Sequence, residues 1–154
     1  MNILMVCLGN ICRSPLAEGI MQHKITKYGL DAMVESAGFE PFHTGDAPDE
    51  RAIEVAGKHG IDISGQRARL FNIGDFDRFD RIFVMDHNNY RDVMGKTRND
   101  NDRRKVDYIL NELKPGGNVP VPDPYYGRMN DFEKVYELLD QATEKLVLKL
   151  RKQS

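Results

Sequence analysis

Cys7 and Arg13 bracket five residues, Leu8-Gly9-Asn10-Ile11-Cys12, and Ser14-Pro15 follows at once. A thiol at one end of so short a loop and a guanidinium at the other suit chemistry on a phosphate ester. A glycine-containing loop that leaves a strand and opens a helix turns its backbone N–H groups inward, where they meet an oxyanion. Residues 8–13 can thus supply several donors to a dianion without ordering flexible side chains. Arg13 adds a planar fork for two phosphate oxygens, which a lysine cannot match. Gly9 permits a positive φ, and Asn10 tolerates the left-handed region better than most residues.

An ordinary thiol is only a few per cent ionised at neutral pH, whereas inward amides, a helix N-terminus and an adjacent arginine favour the thiolate. Cys7 therefore reads as a nucleophile that attacks phosphorus and forms a cysteinyl-phosphate, with the leaving oxygen in line. Ser14 can hydrogen-bond the sulfur as it departs in the second step. The leaving oxygen needs a proton, and Asp123 is the carboxylate that stands out. It lies in Val119-Pro120-Val121-Pro122-Asp123-Pro124-Tyr125-Tyr126-Gly127, where prolines on both sides restrict the backbone and let a loop aim it. Its expected roles are general acid in the first step and general base for water in the second. Spacing alone does not bring Asp123 to Cys7.

The elements that must hold these groups follow from pattern. Residues 3–6 are a short apolar run, as in a strand buried on both faces. Ser14-Pro15 predicts a helix with Ser14 as N-cap, carried by Ala17, Met21, Ile25 and Tyr28 and stopped at Gly29. A strand is predicted over 33–36. A helix opens at Pro48-Asp49-Glu50, with Ala52, Val55 and Ala56 inside and Gly60 at its end. A third strand is predicted over 81–85, a helix over 87–94, and an exposed, charged loop over 95–105. A fourth strand falls at 108–110. Residues 114–127 hold four prolines and three glycines and read as an ordered loop. From about Asn130 a long amphipathic helix buries Phe132, Val135, Leu139, Ala142, Leu146 and Leu150. This β-α alternation predicts an α/β fold, a parallel sheet with helices on both faces, and a ligand site at the carboxyl ends of the strands.

With 154 residues the chain reads as one domain, 1–154. A hydrophobic content of 40% and a net charge of −2 suit a globular protein and give no case for nucleic acid or an anionic membrane as partner. No run approaches the roughly 18 apolar residues of a membrane span, and the N-terminus lacks a basic, cleavable leader pattern. The expected compartment is the cytoplasm. Cys7 and Cys12 fit no zinc spacing, and the four histidines His23, His43, His59 and His87 show none either.

The motif Cys7-Leu8-Gly9-Asn10-Ile11-Cys12-Arg13-Ser14-Pro15 with a distant Asp123-Pro124-Tyr125-Tyr126-Gly127 resembles the low-molecular-weight protein tyrosine phosphatases. Ser36-Ala37-Gly38, Ala68-Arg69, Phe79-Asp80 and Met85-Asp86-His87-Asn88-Asn89 extend the resemblance over nearly the whole chain. It implies a three-layer sandwich around a four-stranded parallel sheet in the flavodoxin-like order 2-1-3-4. It implies no cofactor and no metal, and hydrolysis of phosphotyrosine and aryl phosphates. Phosphotyrosine-containing proteins are the implied partners, with phosphate, sulfate or vanadate as site ligands and a monomer or weak dimer as the working form. By motif, Cys7 is nucleophile, Arg13 binds phosphate and Asp123 is the acid, while Asn10, Ser14, Ser36 and Asp86 support the loop. Phe42, Tyr125 and Tyr126 fall on the aromatic wall of the site. Many members carry a histidine where Gln66 stands here, and that histidine helps fix the equivalent of Asn10.

Alternatives remain open at this level. Cys12 is a small filler or a partner for a reversible disulfide with Cys7. Phe42 is core or wall, and the two tyrosines are wall or loop anchors. An arsenate reductase of the same fold would need further cysteines downstream, and the sequence holds two cysteines in all. A phosphotyrosine-binding module without turnover would not need Cys7, Arg13 and Asp123 together.

Overall fold

The computed structural model describes residues 1–153. Four parallel strands form one sheet: β1 (Asn2–Val6), β2 (Met33–Ala37), β3 (Arg81–Val84) and β4 (Val106–Tyr108), in the order β2-β1-β3-β4. Strand β1 sits near the centre, and its side chains alternate between two cores. Ile3 and Met5 pack with α1 (Arg13–Tyr28), α2 (Glu50–Lys58) and α6 (Met129–Gln153). Leu4 and Val6 face Phe76, from α3 (Asp75–Arg78), and Val93, from α4 (His87–Met94). Such two-sided burial is why residues 3–6 are continuously apolar.

Val6 pairs with both Ala37 and Val84, and Val84 pairs with Tyr108. The four strands therefore end at one level, and the chain leaves them from a common rim. Cys7, Gly38 and Asp86 lie on that rim. β1 has neighbours reached by crossovers in opposite directions, so its carboxyl end is the topological switch point where open α/β sheets bind ligands. α6 buries Phe132, Val135, Tyr136, Leu139, Ala142, Thr143, Leu146 and Val147, the three-and-four spacing of one helical face, and packs on α1.

Several expectations shift. α1 begins at Arg13 with Cys12 as its cap residue, so Ser14 is inside the first turn and caps nothing. Gly29 does end the helix, at φ 60°, in the left-handed conformation that glycine adopts freely. The stretch 95–105 is not simply a loop. It contains α5 (Asp100–Arg104), capped by Asn99, whose side chain accepts the N–H of Asp102. Asp102 is buried and holds Arg98. β4 lies two residues earlier than expected, and residues 109–112 turn into a short 3₁₀ helix.

Candidate active site

Cys7 is the first residue past β1, and the loop that follows is shaped by where its carbonyls go. Leu8 O accepts the N–H groups of Phe39 and Glu40 at 2.8 and 2.9 Å, and Ile11 O accepts that of Asp49 at 2.8 Å. Those carbonyls are engaged by segments outside the loop, and none of the N–H groups of residues 8–13 has a backbone acceptor among the described residues. The positive end of α1 adds to the same field. This is an anion cradle made of main chain.

Asn10 carries the sharp bend at φ 56°, and its side chain is satisfied on both sides. Nδ2 donates to Ser14 Oγ at 2.8 Å and to Ser36 Oγ at 2.9 Å, while Oδ1 accepts the N–H of Arg69 at 3.0 Å. Ser36 in turn donates to Glu18 Oε1 at 2.7 Å. Ser14 Oγ also lies 3.0 Å from Cys7 Sγ. An amide nitrogen can only donate, so Ser14 accepts from Asn10 and is free to give its own proton to the sulfur. That polarity suits a thiolate acceptor. Burial raises the Glu18 carboxyl above its ordinary value, with the Ser36 hydrogen bond pulling the other way. Gly38 is required by proximity: a Cβ there would stand 2.7 Å from Leu8 O and 3.0 Å from Asn10 N.

Arg13 is buried, and its Nη1 donates to Asp86 Oδ2 at 2.8 Å and to Val121 O at 2.9 Å. Asp86 uses its other oxygen to cap α4, accepting the N–H of Asn89 at 2.9 Å. Burial disfavours the guanidinium charge, but the negative groups Cys7, Asp86 and Asp123 outweigh it and raise the Arg13 pKa. Nη2 faces Asp123 Oδ2 at 3.7 Å, and that carboxylate is 48% exposed. Its other oxygen accepts the N–H of Tyr125 at 3.1 Å. The structure thus brings the remote turn to the loop, which spacing could not do.

Cys12 is buried beside Cys7, and both thiols are free. Burial first, then the charges of Asp49, Cys7 and Asp123, push the Cys12 thiol far up. Only Cys7 has the serine donor. The cavity over the loop measures about 300 Å³ and is lined by Cys7, Leu8, Gly9, Ile11, Cys12, Arg13, Glu40, Phe42, His43, Asp123, Tyr125 and Tyr126. Phe42 and Tyr126 are 83% and 96% exposed, so neither is core. Among the described residues no cluster of His, Cys, Asp and Glu could hold a metal ion. A buried thiol with a donor, an amide cradle, a fixed cation and a half-exposed carboxyl can transfer a phosphoryl group to sulfur and on to water.

Comparison with known proteins decides the lineage. Residues 2–154 match the family described as low molecular weight phosphotyrosine protein phosphatase. This chain belongs to that family. A family member from Schizosaccharomyces pombe is 39% identical over 90% of each chain, and one from Sus scrofa is 35% identical over 97% of this chain and 96% of its own. The crystal structure of a protein tyrosine phosphatase from Entamoeba histolytica, with Hepes in its active site, superposes with a TM-score of 0.91 at 34% identity, over 99% of this chain and 97% of that one.

Against the family pattern, Gln66 does not take over the histidine's task. Its Nε2 donates to Pro15 O at 3.1 Å, and Asn10 is held instead by Arg69 N–H, Ser14 and Ser36. Asp86 supports the loop through the side chain of Arg13, which donates to it at 2.8 Å. Glu18, Glu40 and His43 are among the residues that the sequence reading did not single out for the site. Glu40 and His43 line the cavity beside Phe42, and only their adjacency to Phe42 could have flagged them. Glu18 lies one helical turn past Ser14, a spacing that places it on the same side of α1.

Proposed function

We propose that this protein hydrolyses phosphotyrosine in proteins, and aryl phosphates generally, through a cysteinyl-phosphate. The observation that carries the reading is one constellation: Cys7 Sγ beside the Ser14 hydroxyl, under inward amides, with Arg13 Nη2 shared toward Asp123. Phosphate oxygens take the N–H groups of residues 8–13 and the Arg13 fork, which stabilise the charge that spreads over them in flight. Cys7 Sγ forms a bond to phosphorus as the bond to the phenolic oxygen breaks, and Asp123 gives that oxygen its proton. Asp123, now a carboxylate, takes a proton from water as the water oxygen bonds to phosphorus. The S–P bond breaks, Ser14 donates to the returning thiolate, and inorganic phosphate leaves. Phe42, Tyr125 and Tyr126 form the wall against which the aryl ring rests, a contact worth about 0.5–1.5 kcal/mol beyond burial.

Every group in the scheme comes from one chain, so the reaction needs no residue from a second copy. The two unpaired thiols fit a reducing compartment, the cytoplasm, and allow Cys12 to capture an oxidised Cys7 as a reversible disulfide. Phosphotyrosine peptides and p-nitrophenyl phosphate at mildly acidic pH provide the test. Phosphate release that vanadate blocks, EDTA spares and Cys7→Ser abolishes is the expected result. Tight phosphopeptide binding without release would replace this reading with a binding module.

A further inference from the structure

We propose that Arg51 is a positioning residue for the general acid: with Asp49 it ties the turn bearing Asp123 to the phosphate-binding loop. This placement rests on the phosphatase reading above and deepens it. The tie is continuous. Asp49 N–H donates to Ile11 O at 2.8 Å, so Asp49 is fixed to the loop itself. Its carboxylate caps α2 by accepting Arg51 N–H at 2.9 Å, and takes Arg51 Nε and Nη2 at 3.0 and 2.9 Å. The same guanidinium also reaches the turn that bears Asp123. Nη2 donates to Tyr125 O at 2.8 Å and Nη1 to Gly127 O at 2.9 Å. Tyr125 is the residue whose N–H holds Asp123 Oδ1.

A simple surface ion pair would need one edge of the fork and would contribute little. Here the fork's remaining donors go to main-chain carbonyls of a segment without regular structure. Among the described residues, these two bonds are the only ones that reach the backbone of residues 122–127 from outside it. The guanidinium also lies 4.5 Å over the ring of buried Phe132, which fixes its plane. A lysine has neither the planar fork nor five donors, so it could satisfy only part of this set. Proton transfer needs its oxygen within hydrogen-bond reach of the leaving group, and small displacements cost rate steeply.

The role has its own signature. Loss of the acid slows substrates in proportion to how badly their leaving group needs a proton, whereas loss of folding or of phosphate binding slows all alike. The experiment measures kcat/KM for aryl phosphates from p-nitrophenyl to phenyl with the full chain, Arg51→Ala, Arg51→Lys and the benchmark Asp123→Asn. Arg51→Ala should lose about tenfold or more on phenyl phosphate and under about threefold on p-nitrophenyl phosphate, a steepening in the direction of Asp123→Asn. Arg51→Lys should fall between. An equal loss across the series, or none, overturns the role. Should Arg51→Ala not fold, Arg51→Lys carries the measurement, with a smaller steepening expected and a flat ratio overturning. A wild-type chain inactive on every aryl phosphate would instead remove the phosphatase reading, and this role with it.

Discussion

Arg13 shows why identity matters at a single residue. One nitrogen is committed to Asp86 and to Val121 O, which leaves the rest of the fork for phosphate and sets its angle toward Asp123. A lysine would keep the charge but could not hold Asp86, the carbonyl and two phosphate oxygens together. Arg13→Lys should therefore lower kcat by about 10²–10³ with fold intact, checked by steady-state rates beside circular dichroism. Glu18 offers a different test, because its raised pKa means the folded state binds its proton more tightly than the unfolded chain does. Stability should then fall as pH rises from the ordinary value of 4.5 through the raised one. Glu18→Gln keeps an acceptor for Ser36 and should flatten that part of the curve, as read from urea midpoints against pH. An unchanged slope would remove Glu18 as its source.

Between elements, the close approach of β2's exit to the catalytic loop sets a hard limit. Gly38→Ala would press a methyl group against Leu8 O, whose position the N–H groups of Phe39 and Glu40 already fix. The loop must then move, costing about 1–3 kcal/mol, and activity should drop about tenfold or more. Calorimetry and rates on one preparation would show both. The same scale shows what the sequence could and could not reveal. β1 was legible as a short continuous apolar run, and α2 and α6 because their apolar residues repeat at helix period. α5, Asp-Asn-Asp-Arg-Arg, has no apolar residue, so periodicity is silent. Its one signal was Asn99 three residues before Asp102, a capping pattern. Ser14 misled because a good N-cap residue followed by proline looks like a helix start, yet here its hydroxyl serves sulfur and the helix begins two residues earlier, at Arg13. Cys7, Arg13 and Asp123 were legible by type and motif. Arg51 was not, since nothing local distinguishes it from other arginines on polar helix faces. Only the fold reveals that its neighbours are carbonyls of residues 125 and 127.

Over the whole molecule, the site is supported by an α1–α6 core that never touches substrate. Leu146 lies in that core against the sheet face of Ile3 and Met5. Leu146→Ala should cost about 2–5 kcal/mol and lower Tm by several degrees. Turnover below the transition should stay near wild type, since Leu146 does not line the cavity. A kcat loss at temperatures where the variant is fully folded would show that the core and the loop are coupled.

The grip on Arg13 has a consequence for synthesis. Cys7 and Arg13 are made well before the groups that steer the cation, which lie at positions 86 and 121, and before the proposed proton donor at 123. A nascent chain halted before position 86 holds Arg13 without the carboxylate and the carbonyl that orient it. On the proposed mechanism, the growing polypeptide gains a competent centre only after residue 123 has been made and the loop has folded against it.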